Sequence, residues 1–176
     1  MKRQIMKNYK WMLLLCTCLS VLTACNNTDN VQQIFTGKTW KLSVIKYAGT
    51  DKECKDYWVE GGAFNQAKFE ASNKILTNDK SSFTLEFSGT AIGEEISGKA
   101  KGKAYTVSFN DVSWKANGRS NDFSIAIKAT TDKDVLATAF LNALSNATSY
   151  GGNDGNLYIY FTEGQQSKYM LFHVQR

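Results

Sequence analysis

The chain has 176 residues, with 21 Lys and Arg against 16 Asp and Glu and a formal net charge of +5. Four of the basic residues and none of the acidic ones lie in residues 1–24, so the rest of the chain is close to neutral. A nucleic-acid-binding domain carries a basic face on its folded body, and this charge distribution excludes that class of partner. The length that remains is typical of one domain with its own core.

Residues 1–24 have the features of a secretory signal peptide. Basic residues precede an apolar run that extends from Trp11 to Ala24 and ends in small side chains. A transmembrane helix needs roughly 20 apolar residues, and this run is shorter. We therefore expect residues 1–24 to be removed from the mature protein.

The end of this segment resembles the lipobox of bacterial lipoproteins. Leu22-Thr23-Ala24-Cys25 consists of an aliphatic residue and two small residues followed by cysteine. The resemblance implies that Cys25 carries lipid and anchors the mature chain, since several acyl chains hold a protein stably at a membrane. Asn26, which stands where an aspartate would favour inner-membrane retention, implies the outer membrane of a Gram-negative envelope. The periplasmic and surface faces of that membrane stay open.

Residues 25–36 are polar and short of aliphatic side chains, which predicts a flexible tether between the lipid and the domain. The domain itself is expected to occupy residues 37–176. Cys16 and Cys18 lie in the signal peptide and Cys25 is assigned to lipid, so Cys54 is the single thiol of the domain. An intramolecular disulfide is therefore excluded there.

Alternating apolar and polar residues predict half-buried strands through most of the domain. The pattern is present around Trp40, Phe83 and Phe123, and the chain ends on two such segments that form a β-hairpin. A row of lysines at residues 99, 101 and 103 faces away from small residues, and small residues on the inner side of a strand are typical of strong curvature. The lysine row itself is expected to be a solvated strand face.

The apolar period changes to that of a helix over residues 132–149, where Leu136, Phe140 and Leu144 recur every fourth residue. Thr131 and Asp134 resemble a capping box at its start. A second helix is expected within residues 60–77. The predicted fold class is α+β and rich in β-structure: a strongly curved antiparallel sheet, either a half-barrel or a small barrel, packed on one main helix.

From Trp40 onward, the order of these features resembles the META domain family of heat-shock-associated envelope lipoproteins. The resemblance rests on Trp40-Lys41-Leu42, on Phe83-Thr84-Leu85-Glu86-Phe87, and on Ile96-Ser97-Gly98-Lys99-Ala100 before Tyr105. It implies a curved sheet around a helix and a role in the cell envelope. A lipocalin-like order of strands fits the same pattern and stays open.

A candidate binding face lies on the final hairpin, where alternation places four side chains opposite the aliphatic residues: Tyr158, Tyr160, Tyr169 and His173. Tyrosines, with an apolar ring and a polar hydroxyl, are common at interfaces and in binding pockets. The alternative is that residues 48–79, the long insert after the first strand, cover these side chains.

No catalytic or metal-binding constellation is expected. His173 is the only histidine and Cys54 is the only domain thiol, whereas zinc sites draw on several such ligands. We therefore predict a non-enzymatic, monomeric envelope lipoprotein without a cofactor, which acts as a binding or envelope-maintenance module. Besides the membrane, its partner is either an envelope protein or a small apolar ligand, and a lipocalin-like carrier of such a ligand is the alternative function.

Overall fold

The computed structural model describes residues 27–50 and 52–175, so the predicted signal peptide and Cys25 lie outside the described residues. The described chain is mostly β, which confirms the predicted fold class. The helices are α1 (Asn27–Phe35), α2 (Gln66–Asn78) and α3 (Val135–Ser145), with a short 3₁₀ helix at Asp56–Trp58. The strands are β1 (Thr39–Tyr47), β2 (Val59–Glu60), β3 (Ala63–Phe64), β4 (Thr84–Ile92), β5 (Glu95–Lys103), β6 (Ser108–Asn117), β7 (Phe123–Ile125), β8 (Ala147–Gly152), β9 (Asn156–Glu163) and β10 (Gln166–Val174).

Eight strands form one antiparallel sheet in the order β7-β6-β5-β4-β1-β10-β9-β8. The sheet is not closed into a barrel. Its edge strands approach each other at an isolated bridge between Asp122 and Ser149, and the amide of Tyr150 donates a hydrogen bond of 2.9 Å to the carbonyl of Asn121. Of the two predicted forms, the structure therefore has the half-barrel. Strands β2 and β3 form a separate hairpin within the insert.

Period-two alternation places one side of each strand in the core, as the sequence predicts. On β5, Ala100 is buried while Lys99 and Lys101 are exposed. A Cβ atom added to Gly98 would collide with the backbone carbonyl of Ser88 on β4. Glycine at this position therefore permits the close approach of β4 and β5 that the curved sheet requires.

Helix α3 fills the concave side of the sheet, but it is shorter than the predicted 132–149. Its N-cap is Asp134, whose carboxylate accepts a hydrogen bond of 3.0 Å from the amide of Ala137. Thr131 therefore does not cap the helix. Residues from 147 onward form β8 instead, because they pair with β9 and bury Tyr150 in the core.

Helix α2 confirms the second helix predicted within residues 60–77. Asn65 caps it by accepting a hydrogen bond of 3.1 Å from the amide of Lys68. A buried polar chain joins the insert to α3: the indole of Trp58 donates to Ser72 at 3.0 Å, and Ser72 donates to Asp134 at 2.7 Å. The insert therefore packs on the helical side of the sheet.

Helix α1 overturns the predicted tether for residues 27–35. Val31 and Ile34 are buried, and Phe35 is fully buried. The Phe35 ring lies 4.9–5.5 Å from four aromatic rings, those of Phe87, Trp114, Phe123 and Tyr150. Apolar residues at i, i+3 and i+4 give this polar segment one buried stripe, which is enough to dock it. Among the described residues, no helix has the length and apolar character to cross a membrane.

Candidate binding face

Three of the four predicted face residues form one cluster on the convex side of the sheet. Tyr160 on β9 pairs with Tyr169 on β10, and Tyr158 pairs with Leu171. The Tyr169 ring centroid lies 5.8 Å from that of Tyr158 and 5.7 Å from that of Tyr160. We call these three side chains the tyrosine face. Their mutual contacts hold the rings in place, so a partner would meet a preorganised surface.

The tyrosine face continues as an apolar row with polar surroundings. Leu171 pairs with both Tyr158 and Val44, which extends the apolar surface onto β1. Lys46 pairs with Tyr169 and contributes a positive charge at one side. An apolar centre with a polar rim is the usual anatomy of a protein interface.

The three tyrosines are partly exposed, so the insert does not bury them as the alternative prediction required. Burial, together with the neighbouring hydroxyls of Tyr169 and Tyr158, raises the pKa of Tyr160. The phenol therefore stays neutral and retains its hydroxyl as a hydrogen-bond donor at physiological pH.

His173 lies farther along the same side of β10, where it pairs with Asn156 and Lys41. It is exposed, at the end of the face rather than within the ring cluster. Among the residues that the structure describes, no group of three or more His, Cys, Asp or Glu side chains could hold a metal ion.

The interior behind the tyrosine face is filled by large apolar side chains. Phe140 of α3 lies between Phe83 and Phe172, with ring centroids 5.8 and 6.2 Å away. All three residues are fully buried. Among the described residues, the space between α3 and the sheet at Phe140 is therefore filled. A small apolar ligand, as the lipocalin-like carrier function would require, has no room there.

The lysine row on β5 is largely paired. Lys101 forms an ion pair with Glu86 at 2.8 Å, Lys99 with Asp111 at 3.6 Å, and Lys103 donates to the hydroxyl of Ser81 at 3.0 Å. Exposed pairs of this kind contribute only about 0–1 kcal/mol. The row therefore has the character of a solvated strand face, as predicted.

A second polar cluster, which sequence reasoning missed, surrounds Lys168. Its side chain is 3% exposed, and its Nζ lies 2.7 Å from Glu163 and 3.9 Å from Asp56. The same ammonium stands 5.6 Å from the ring centroid of Tyr47 and 4.8 Å from that of Tyr57. The available signal was the alternation of β10, which places Lys168 on the side of Met170 and Phe172.

Burial on its own would lower the pKa of Lys168. The hydrogen bond to Glu163 and the neighbouring Cys54 outweigh that effect, so the net shift is upward. Burial raises the pKa of Tyr57, and the nearby Cys54 and Glu163 raise it further. Lys168 therefore remains an ammonium ion inside the protein, which buried lysines do only when they are paired.

Comparison with known proteins gives a family and a fold. No curated protein matches this sequence. A crystal structure of a DUF4847 family protein from Bacteroides vulgatus ATCC 8482 matches with a TM-score of 0.54 and 20% identity, over 81% of this chain and 96% of that one. At this identity the likeness concerns the fold alone. The sequence comparison finds a domain of unknown function, DUF4847, over residues 26–174. The chain therefore belongs to the DUF4847 family.

Proposed function

We propose that the protein is a non-enzymatic lipoprotein of the Gram-negative outer membrane that binds an envelope macromolecule through the tyrosine face. The observation that carries this proposal is the cluster of Tyr158, Tyr160 and Tyr169, partly exposed and in mutual contact on the convex side of a filled core.

The anchor is supported by the sequence at the start of the chain. Basic residues, an apolar run and Leu22-Thr23-Ala24-Cys25 follow one another in the order of a lipoprotein signal. The matched family domain begins at residue 26, immediately after Cys25. Cleavage before Cys25 would therefore leave the whole domain intact.

Cys25→Ser should move the protein from the membrane fraction to the soluble fraction of expressing cells. The substitution removes the sulfur that would carry lipid and leaves the folded residues unchanged. Fractionation with immunoblotting measures the distribution after an alkaline carbonate wash, which releases proteins held to the membrane only by contacts with other macromolecules. Cys18→Ser, in the same predicted signal peptide, is the matched control. If the Cys25→Ser protein still partitions with membranes, the lipoprotein assignment is wrong.

The tyrosine face suits a macromolecule better than a small ligand, because it is a surface and not an enclosed pocket. Tyrosine provides a large contact area at a low cost in side-chain entropy, and residues of this type dominate binding energy at interfaces. Truncation of one central tyrosine at an interface commonly weakens binding by about 2 kcal/mol, which is roughly 30-fold.

In the Cys25→Ser protein, which cannot carry the lipid, the combined substitutions Tyr158→Ser, Tyr160→Ser and Tyr169→Ser should abolish binding of the labelled protein to isolated envelopes. Sedimentation with the envelope fraction measures binding. The matched control replaces three exposed lysines on the same convex surface, Lys99, Lys101 and Lys115, with serine. Protease treatment of the envelopes separates a protein partner from a glycan partner. Equal sedimentation of the tyrosine and lysine variants would contradict the proposal.

A further inference from the structure

The hairpin of β4 and β5 extends past the start of β1 at one end of the molecule. Strand β1 pairs with β4 only where Thr39 to Lys41 lie opposite Thr84 to Glu86. From Phe87 to Ile92, β4 continues beyond this point and pairs with β5 on its other side. At about 3.3 Å per residue, this continuation adds roughly 20 Å to the strand. We call residues 87–100 the projecting arm.

Helix α1 packs on the inner side of the projecting arm. It contacts β4, β5 and β6, and Thr36, the residue after the helix, forms a bridge with Phe87 at the base of the arm. Helix α3 occupies the other end of the concave side, where its Phe140 contacts Phe83, the residue before β4. Helix α1 and the projecting arm therefore lie at the same end of the molecule.

The start of α1 connects this end to the predicted anchor. Asn26 is the single residue between Cys25 and Asn27, where the helix begins. If Cys25 carries lipid, the end of the domain that holds α1 must therefore lie against the bilayer. The projecting arm belongs to that end. The insert follows the last residue of β1 and belongs to the opposite end.

The tip of the projecting arm exposes a large apolar side chain. Ile92 is 80% exposed, compared with 46% for Val59 and 41% for Phe64 in the insert. Alternation along β4 turns Ala91 toward the core and Ile92 to the polar side of the strand, so the core does not require an apolar residue there. A side chain this exposed gains free energy by leaving water, and a bilayer at the same end of the domain would allow it to do so.

The tip has a defined geometry and carries a cation. Ile92 pairs with Glu95 across the turn at residues 93 and 94. The carbonyl of Glu94 accepts a hydrogen bond of 2.8 Å from the amide of Gly118 in the loop after β6. This loop brings the guanidinium of Arg119 to 3.7 Å from the Glu94 carboxylate, with the arginine side chain 80% exposed. Because a guanidinium binds phosphate well, the tip combines an apolar side chain with a group suited to lipid phosphates.

We propose that the tip of the projecting arm enters the headgroup region of the bilayer, with Ile92 at the boundary of the acyl chains and Arg119 on lipid phosphates. This contact rests on the proposed lipid anchor and deepens it, because the anchor holds the domain at the membrane and the tip sets its orientation. One isoleucine buries too little apolar area to bind a membrane alone. The anchor makes the second contact intramolecular, so a weak interaction is enough.

Fluorescence quenching in vesicles tests the proposal. The lipidated full chain is reconstituted into vesicles of phosphatidylethanolamine and phosphatidylglycerol whose acyl chains carry bromine, a contact quencher, near the headgroup. Ile92→Trp places a reporter at the tip, and Val59→Trp is the matched control, with the same preference of tryptophan for membrane interfaces. The native Trp40, Trp58 and Trp114 are buried and give a constant background. We expect brominated lipid to quench most of the emission added by Ile92→Trp and none of that added by Val59→Trp.

The anchor and the tip contact fail in different ways. Flotation with the vesicles on a density gradient reports the anchor, and a wild-type protein that does not float would overturn the anchor and the tip contact together. A protein that floats, but in which brominated lipid quenches Ile92→Trp no more than Val59→Trp, would overturn the tip contact alone. Both substitutions replace exposed side chains, so the melting temperatures of the two variants should stay near that of the wild type.

Discussion

Phe140→Asp should abolish cooperative thermal unfolding of the protein. The Phe140 side chain is fully buried between Phe83 and Phe172. Removal of a buried phenylalanine costs about 3–5 kcal/mol, and burial of an unpaired carboxylate adds several more. A domain of ordinary stability, about 5–15 kcal/mol, has little or nothing left after such a loss.

Differential scanning calorimetry checks this result, with Asn142→Asp as the matched control. Asn142 lies on the same helix α3, two residues farther along, and is partly exposed. A carboxylate there adds the same charge without entering the core, so its melting temperature should stay near that of the wild type. An intact melting transition in Phe140→Asp would show that α3 does not pack on the sheet as described.

Glu163→Gln should destabilise the folded state by about 2 kcal/mol at neutral pH. The substitution removes the carboxylate that lies 2.7 Å from the buried Nζ of Lys168. Hydrogen bonds to charged groups contribute about 1.5–3 kcal/mol, and loss of one partner leaves a buried charge poorly compensated. Asp56 at 3.9 Å and two tyrosine rings remain, which keeps the loss below that of a fully isolated charge.

The pH dependence follows from the direction of the Lys168 pKa shift. Its pKa in the folded protein lies above the ordinary value of 10.5. The ion pair therefore contributes its full stability below pH 10.5, and that contribution is lost as the pH rises through the higher folded pKa. The difference between wild type and Glu163→Gln should be constant near neutrality and should shrink in strongly alkaline buffer.

Urea unfolding at several pH values measures this difference. Glu94→Gln is the control, because Glu94 pairs with Arg119 at 3.7 Å where both side chains are largely exposed. Its stability should change by less than about 1 kcal/mol. Equal effects of the two substitutions would contradict a structural role for the buried ion pair.

Much of the architecture could be predicted from the sequence, because alternation and helical period are strong local signals. Leu136, Phe140 and Leu144 predicted the core of α3 correctly. The predicted ends of this helix were wrong. At its start, Asp134 and not Thr131 provides the cap. At its end, Tyr150 belongs to β8 because that segment pairs with β9. Asp134 lies within the predicted segment, where the sequence offers two capping residues and does not choose between them. The partner strand β9 lies outside that segment, so the local pattern cannot show that residues from 147 onward pair with it.

Helix α1 and the burial of Lys168 could not be predicted from amino-acid composition, because both depend on contacts with distant parts of the chain. Residues 27–35 are mainly polar, and their helix exists because Phe35 enters a cage of aromatic rings from four other elements. Lys168 is charged, and its burial requires Glu163, Asp56 and two tyrosines. The tyrosine face was predicted, because only the alternation of β9 and β10 is needed to place its three rings on one side.

The position of helix α1 restricts how an anchored domain can move. If Cys25 carries lipid, as proposed, the rigid body begins at Asn27, two residues later. Two residues of any chain can span at most roughly 7 Å, about the depth of a lipid headgroup layer. The domain would then stay at a nearly constant distance from the bilayer surface. It would encounter its partners by lateral diffusion in the membrane plane. The molecule that meets the tyrosine face must accordingly be another resident of the membrane surface, or a polymer that lies against it.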